Sequence, residues 1–173
     1  MRQIRYSVAM SLDGYIAGPK GEADWIVMDP EIDFAAIFAR YDTFLLGRKT
    51  YEQMRAQGGG GGGTAGVKTY VFSTTLRASD HPKVTIVAEK AKERLAALKK
   101  EPGKDIWLFG GGSLFASLLQ MKMVDAVEVA VMPVLLGGGI PLLPTVAKKT
   151  KLELTSHRLY AKSGTVMLEY AVA

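Results

Sequence analysis

Two short runs of this sequence, Gly47-Arg48-Lys49-Thr50 and Gly110-Gly111-Gly112-Ser113, have the residue types and placement to hold a phosphate. Each follows a short apolar stretch, TFLLG or DIWLFG, and opens a run whose apolar residues recur at helical spacing. The first turn of a helix leaves backbone N–H groups unpaired and concentrates partial positive charge, so an anion is favoured there. Glycine at the junction lets another molecule approach the backbone closely. A third segment, Ser73-Thr74-Thr75-Leu76-Arg77, places hydroxyls and a cation just past the apolar run VKTYVFS. Tight turns and local caps explain any one of these motifs equally well. The three together point to a phosphate-bearing ligand.

Neither glycine run is a standard nucleotide signature. GGGSLF departs from G-x-G-x-x-G because Phe115 stands at the last glycine position, and Asp42 and Arg48 break the spacing of a P-loop around GRKT. The phosphate sites must therefore come from the way several elements meet.

Those elements read clearly along the chain. IRYSVAM (4–10) alternates as a half-buried strand, followed by the turn-rich DGYIAGPKGEADW. Pro30 opens a helical pattern through Ile32, Ala35, Ala36, Phe38 and Ala39. TFLLG (43–47) predicts a buried strand and RKTYEQMRA (48–56) a helix. VKTYVFS (67–73) and KVTIVA (83–88) predict strands, EKAKERLAALKK (89–100) an amphipathic helix stopped by Pro102 and Gly103, DIWLFG a strand and SLFASLLQM its helix. DAVEVAVMP, KLELTSHRL and TVMLEYAV then alternate strongly, with Gly164 in a turn between the last two. Repeated strand–helix alternation followed by strands predicts an α/β fold: a mostly parallel, twisted sheet flanked by helices and finished by a C-terminal antiparallel hairpin. Residues 58–66 are rich in glycine and predict a flexible connector inside a single domain spanning 1–173.

Composition narrows the function. The chain has no cysteine, which excludes disulfides, thiolate metal sites and a cysteine nucleophile. With His81 and His157 as the only histidines, no metal site is expected. The first residues lack the apolar stretch of a signal peptide and no run approaches the ~20 residues that span a bilayer, so a cytoplasmic location without membrane attachment is expected. A net charge of +5 favours anionic partners mildly. Lys99, Lys100, Lys148, Lys149 and Lys151 lack the interleaved aromatics of a nucleic-acid surface and read as a solvated face.

AMSLDGYIAGPKGEADW (9–25) resembles the opening of the reductase domain of riboflavin biosynthesis, the RibD C-terminal type, while GRKTYE and WLFGGGSL resemble dihydrofolate reductase. Both belong to one fold, and the resemblance runs from the first strand through PVLLGGGIPLL at 133–143. It implies a dihydrofolate reductase-like domain that uses NADPH to reduce a small heterocycle: a dihydrofolate, a pterin, or a pyrimidine like 5-amino-6-(5-phosphoribosylamino)uracil.

The resemblance also assigns residues. Ala9 and Ile16 would hold the nicotinamide carboxamide through their backbones, and Trp25 would lie beside the nicotinamide, unless it serves core packing. Gly47, Arg48, Lys49 and Thr50 would meet the phosphates. Ser73, Thr74 and Arg77 would surround the adenosine 2′-phosphate, and Phe109, Gly110, Gly111, Gly112, Ser113 and Leu114 would support the pyrophosphate across a cis Gly110–Gly111 bond. Asp33 is the best match for the early-helix acid that assists protonation, with Asp13 and Asp29 behind it. Asp33 as a dipole-favouring carboxylate and Asp13 as a turn former are equally open. Two departures count against a ribosyl-phosphate substrate: Ala23 stands where the riboflavin-pathway reductases have Ser, and Phe109 where they have Glu. A homodimer is expected, as among similar proteins. The alternative to an enzyme is a regulatory or interaction module that kept the NADP groove and lost catalysis.

Overall fold

The computed structural model describes residues 1–58, 66–144 and 149–173. The glycine-rich connector expected at 58–66 lies almost wholly outside the described residues. In chain order the elements are β1 (Ile4–Ser11), β2 (Tyr15–Ala17), α1 (Phe34–Ala39), β3 (Tyr41–Gly47), α2 (Arg48–Ala56), β4 (Lys68–Phe72), β5 (Thr85–Val87), α3 (Ala91–Lys100), β6 (Asp105–Gly110), α4 (Gly112–Gln120), β7 (Ala126–Met132), β8 (Ile140–Pro141), β9 (Leu152–Tyr160) and β10 (Thr165–Val172). Eight strands form one sheet in the order β5-β4-β3-β6-β1-β7-β10-β9. The first six are mutually parallel, and β10 runs antiparallel to both β7 and β9. Gly164 turns the β9–β10 hairpin with φ +73°, a conformation that favours glycine.

Alternation along each strand sorts the helices onto two faces. Leu45, Ile4, Tyr6, Ile106 and Leu108 are fully buried together with Leu95 and Leu98 of α3 and Phe115 and Leu118 of α4. Tyr6 and Phe115 stack at 3.9 Å and 17°. Leu46, one residue on from Leu45, points the other way and packs with Val71 and with Tyr51 of α2. Burying each such large apolar side chain contributes about 1.5–3 kcal/mol, so both faces hold the sheet.

Three local details differ from the sequence expectation. Pro30 does not open α1; the helix starts at Phe34, with Asp33 as its N-cap accepting from the Ala36 amide at 2.9 Å. Pro30 lies outside the helix, and the Asp33 cap supplies the acceptor that the first turn needs. α1 buries none of its residues, so it is held by its caps and by ring contacts of Phe38 with Phe44 and Trp107, at 6.5 and 5.2 Å. Tyr15–Ala17, inside the stretch read as turns, pairs with Ile140–Pro141 in a second, two-stranded sheet.

Candidate functional site

The strands reverse their winding between β3 and β6. α2 leaves β3 for β4 on one side, whereas α4 leaves β6 for β7 on the other and on the opposite face. The crevice at the carboxyl ends of β3 and β6 is thus the switch point where open α/β sheets take their ligands. Both helices begin there with no connecting loop: Gly47 caps α2 and Gly111 caps α4, and neither start has a side-chain cap. Their first-turn N–H groups remain available to a ligand, unlike those of α1, where Asp33 supplies an acceptor.

The two starts meet. A methyl group on Gly47 would lie 3.6 Å from the Gly110 carbonyl oxygen and 3.7 Å from the Leu114 Cβ, and one on Gly111 would lie 3.4 Å from the Thr50 hydroxyl. The Gly110–Gly111 bond is cis, as the resemblance implied. Gly112 is buried against the 141–144 segment, where a methyl group would come within 2.8 Å of the Pro141 carbonyl oxygen. Leu142 donates its amide to the Gly14 carbonyl at 2.9 Å, which brings the turn before Ile16 to the same place. Gln53 of α2 donates to the Gly21 carbonyl at 2.7 Å, so the segment between Ala17 and Trp25 is tied to both walls of the crevice. Ala9 lies on β1 opposite Ala130, and Trp25 is half-buried with its Nε1–H donated to the Glu22 carbonyl at 3.1 Å.

Charge is distributed to suit an anion. Lys49 and Arg77 are exposed and have no ion-pair partner among the described residues, while Arg48 meets only Glu52, at 3.6 Å on the helix surface. Ser73 is spent on the loop itself, its hydroxyl oxygen accepting from the amides of Thr75 and Leu76 at 3.2 and 3.1 Å. Thr74 and Ser113 are exposed. Phe109 joins the apolar group of Leu46, Tyr51 and Val71 and lies 5.1 Å from the Trp107 ring.

Asp33 and Asp13 each make local hydrogen bonds and share no partner among the described residues. Asp33 is exposed at the head of α1. Asp13 accepts from the Ser11 hydroxyl at 2.6 Å and from the amides of Leu136 and Gly137 at 3.1 and 2.7 Å, and these bonds, the Ser11 one foremost, hold its carboxyl below the usual carboxylate range. Asp29, almost fully buried, accepts from the amides of Glu31 and Ser163 at 2.9 and 3.0 Å and is likewise lowered, by Ser163 first. It fastens the segment before α1 to the β9–β10 turn.

One cluster was not legible in the sequence. Glu128 is buried on β7, its Oε1 accepting from Arg5 and Arg40 at 2.8 Å each and its Oε2 from the Tyr41 hydroxyl at 3.2 Å. Arg5 also donates to Asp105 at 2.8 Å. Burial and the Glu128 charge push the Tyr41 hydroxyl's pKa up. The available signal was one charged residue in each of two otherwise uncharged strands, Arg5 in β1 and Glu128 in β7, and each reads as an ordinary solvent-facing strand residue.

The family profile of the RibD C-terminal domain matches residues 2–166. The uncharacterized protein YyaP of Bacillus subtilis (strain 168) is 34% identical over 179 residues, covering 98% of this chain and 94% of that protein. A Shewanella sp. PV-4 protein provisionally named for riboflavin biosynthesis superposes with a TM-score of 0.83 at 24% identity, covering 100% of this chain and 99% of that one. Dihydrofolate reductase from Enterococcus faecalis, solved with NADP(H), gives a TM-score of 0.70 at 17% identity over 98% of this chain and 96% of that one. At these identities the two structures establish the fold: a mixed α/β fold with a mostly parallel central sheet and a small antiparallel sheet.

Proposed function

Because the chain belongs to the RibD C-terminal domain family, whose fold is of reductase type, we propose that it is an NADPH-dependent reductase acting on a small heterocycle such as a dihydrofolate, pterin or aminopyrimidine. The observation that carries this reading is the meeting of two helix starts without side-chain caps, at Gly47 and Gly111, with Lys49 in the first turn of α2 and without an ion-pair partner among the described residues. A diphosphate fits that arrangement because both starts present free amides and because glycine leaves the space a side chain would fill.

NADPH supplies a hydride to a C=N or C=O carbon of the substrate. The chain's own residues bind and orient. The amides of the α2 and α4 first turns, with Lys49 and Thr50, hold the phosphates, and Thr74 and Arg77 receive the 2′-phosphate. Ala9 and Ile16 fix the nicotinamide edge through their backbones, beside Trp25. Asp33 delivers the proton at the substrate nitrogen or oxygen, with Asp13 as the second candidate. Phe109 in an apolar floor and Ala23 in place of a hydroxyl favour an unphosphorylated ring over a ribosyl phosphate.

The alternative, a binding module without catalysis, is favoured by one observation: an oxygen of Asp33 and both of Asp13 are already engaged in local hydrogen bonds. Incubating the protein with NADPH and a panel of pterins, dihydrofolate and quinones, while following reduced-nicotinamide absorbance, separates the two readings. Turnover supports the enzyme; binding without turnover supports the module. NADPH is expected to bind roughly tenfold or more tightly than NADH, since a charge-assisted contact contributes about 1.5–3 kcal/mol. Arg77→Met should erase most of that preference, and equal dissociation constants in the unmodified protein would refute the 2′-phosphate assignment.

The proposal extends to a cytoplasmic homodimer. The edge strand β9 exposes every residue from Leu152 to Leu159, with Leu152, Leu154 and Leu159 at 39%, 56% and 64% exposure. An exposed apolar edge of this length invites a second copy. Sedimentation that finds only monomer at micromolar concentration would remove this part of the reading.

A further inference from the structure

Ser73 and Arg77 lie in a loop that leaves β4, runs back along α2 and begins β5 at Thr85. The polar anchor of that loop on the helix is His81, beside the packing of Leu76 and Val84 on the cluster that holds Tyr51. Its Nδ1 lies 3.0 Å from the Tyr51 hydroxyl and 3.2 Å from a guanidinium nitrogen of Arg55, both on α2. A guanidinium has donors only, so the Arg55 contact is a hydrogen bond when Nδ1 accepts; the Tyr51 hydroxyl then shares that lone pair as a second donor, and the ring proton sits on Nε2. The Tyr51 and His81 rings meet edge-on at 5.4 Å, and the Arg55 guanidinium lies 5.7 Å from the Tyr51 ring centroid. Tyr51 is buried and directly follows Thr50, so the anchor is rooted in the same helix turn that offers Lys49 and Thr50.

Charged groups border the imidazole. Arg55 faces it from α2 and Lys83 from the loop; Asp80 is the one carboxylate beside it among the described residues, and its Oδ1 accepts from the Ser79 hydroxyl at 2.8 Å. A proton on Nδ1 would remove the acceptor that Arg55 meets, turn the Tyr51 hydroxyl from donor to acceptor, and direct an N–H at the Arg55 guanidinium. The hold of the loop on the helix would then weaken, leaving the apolar packing of Leu76 and Val84 and a reversed Tyr51 bond.

We infer that His81 is a positioning residue: neutral and protonated on Nε2, it holds the Ser73–Arg77 loop against α2 so that the 2′-phosphate of the cofactor meets both, and its protonation loosens that hold. This rests on the NADPH reading of the site. It adds a residue that contacts no ligand and predicts a pH dependence of cofactor affinity that belongs to the protein rather than to the cofactor.

Two measurements test it. The ring nitrogens of His81, assigned by long-range proton–nitrogen correlation in the ligand-free protein at about pH 8, should show an unprotonated Nδ1 and a protonated Nε2; the reverse tautomer overturns the inference whether or not NADPH binds. NADPH dissociation constants are then compared at about pH 8 and about pH 5.5, the interval in which imidazole gains its charge, for the unmodified protein and His81→Gln. The glutamine carbonyl accepts from both donors and does not titrate. Protonation of the 2′-phosphate itself is common to both proteins and cancels. The unmodified protein should lose about threefold to tenfold more affinity on acidification than His81→Gln, the loss expected for one or two hydrogen bonds. His81→Phe should bind weakly already at the higher pH; if it does not fold, the comparison with His81→Gln still decides. Equal losses in the two proteins defeat the assignment of His81 alone. Absence of NADPH binding by the unmodified protein at the higher pH defeats the cofactor reading and, with it, the role of the loop.

Discussion

A methyl group on Gly111 would lie 3.4 Å from the Thr50 hydroxyl, so the first turns of α4 and α2, which begin more than sixty residues apart in the sequence, border one small space. Gly111 has an ordinary φ of −87°, and the added methyl group makes only a normal contact there. Gly112 differs: its methyl group would press on two backbone oxygens, Pro141 at 2.8 Å and Leu142 at 3.1 Å. Gly111→Ala should therefore unfold at nearly the unmodified denaturant midpoint yet bind NADPH about tenfold or more weakly, because it fills the space left for the phosphate. Gly112→Ala should lose about 1–3 kcal/mol of stability from overpacking. Denaturant titration and fluorescence titration of both variants would show the separation; equal stability losses would refute it.

Asp33→Asn tests the acid without disturbing the fold, because asparagine caps a helix as well as aspartate does. Turnover should fall by about 10²–10⁴-fold, the usual contribution of a positioned proton donor, with NADPH affinity nearly unchanged. Full activity in Asp33→Asn together with loss in Asp13→Asn would move the role to Asp13.

Acid stability should depend on Asp13 and Asp29. Each has a folded-state pKa below its unfolded value, so each binds fewer protons when folded. Their contribution is complete above the ordinary carboxylate value of about 4 and is lost as pH falls through the lowered folded value. Asp13→Asn should be less stable than the unmodified protein at neutral pH, and the difference should shrink below about pH 4. Thermal midpoints measured across that range would reveal it, and a constant difference would contradict the linkage.

Glu128→Leu should cost about 3 kcal/mol, the lower end of the range for breaking a buried pair, because Arg5 loses one of its two carboxylates and keeps Asp105 while Arg40 still reaches water. Replacing Glu128 and Arg5 together with apolar residues should recover part of that loss. A loss under about 1 kcal/mol, as for an exposed pair, would show that water already screens the cluster.

The amino-acid sequence by itself determined the strand–helix alternation, the parallel sheet, the antiparallel end and the two glycine-rich helix starts. These rest on local period and on residues whose backbone preferences act within a turn. The tertiary structure decided what each polar group does. Asp33 became a cap because the helix begins at Phe34 rather than near Pro30. Tyr15–Ala17 became a strand only because Ile140–Pro141 lies alongside it. Glu128 finds Arg5 and Arg40 from 123 and 88 residues away, and Tyr51 finds His81 from 30 away. No periodicity encodes such pairings; they follow from which strands become neighbours, and that is settled by the packing of the whole sheet.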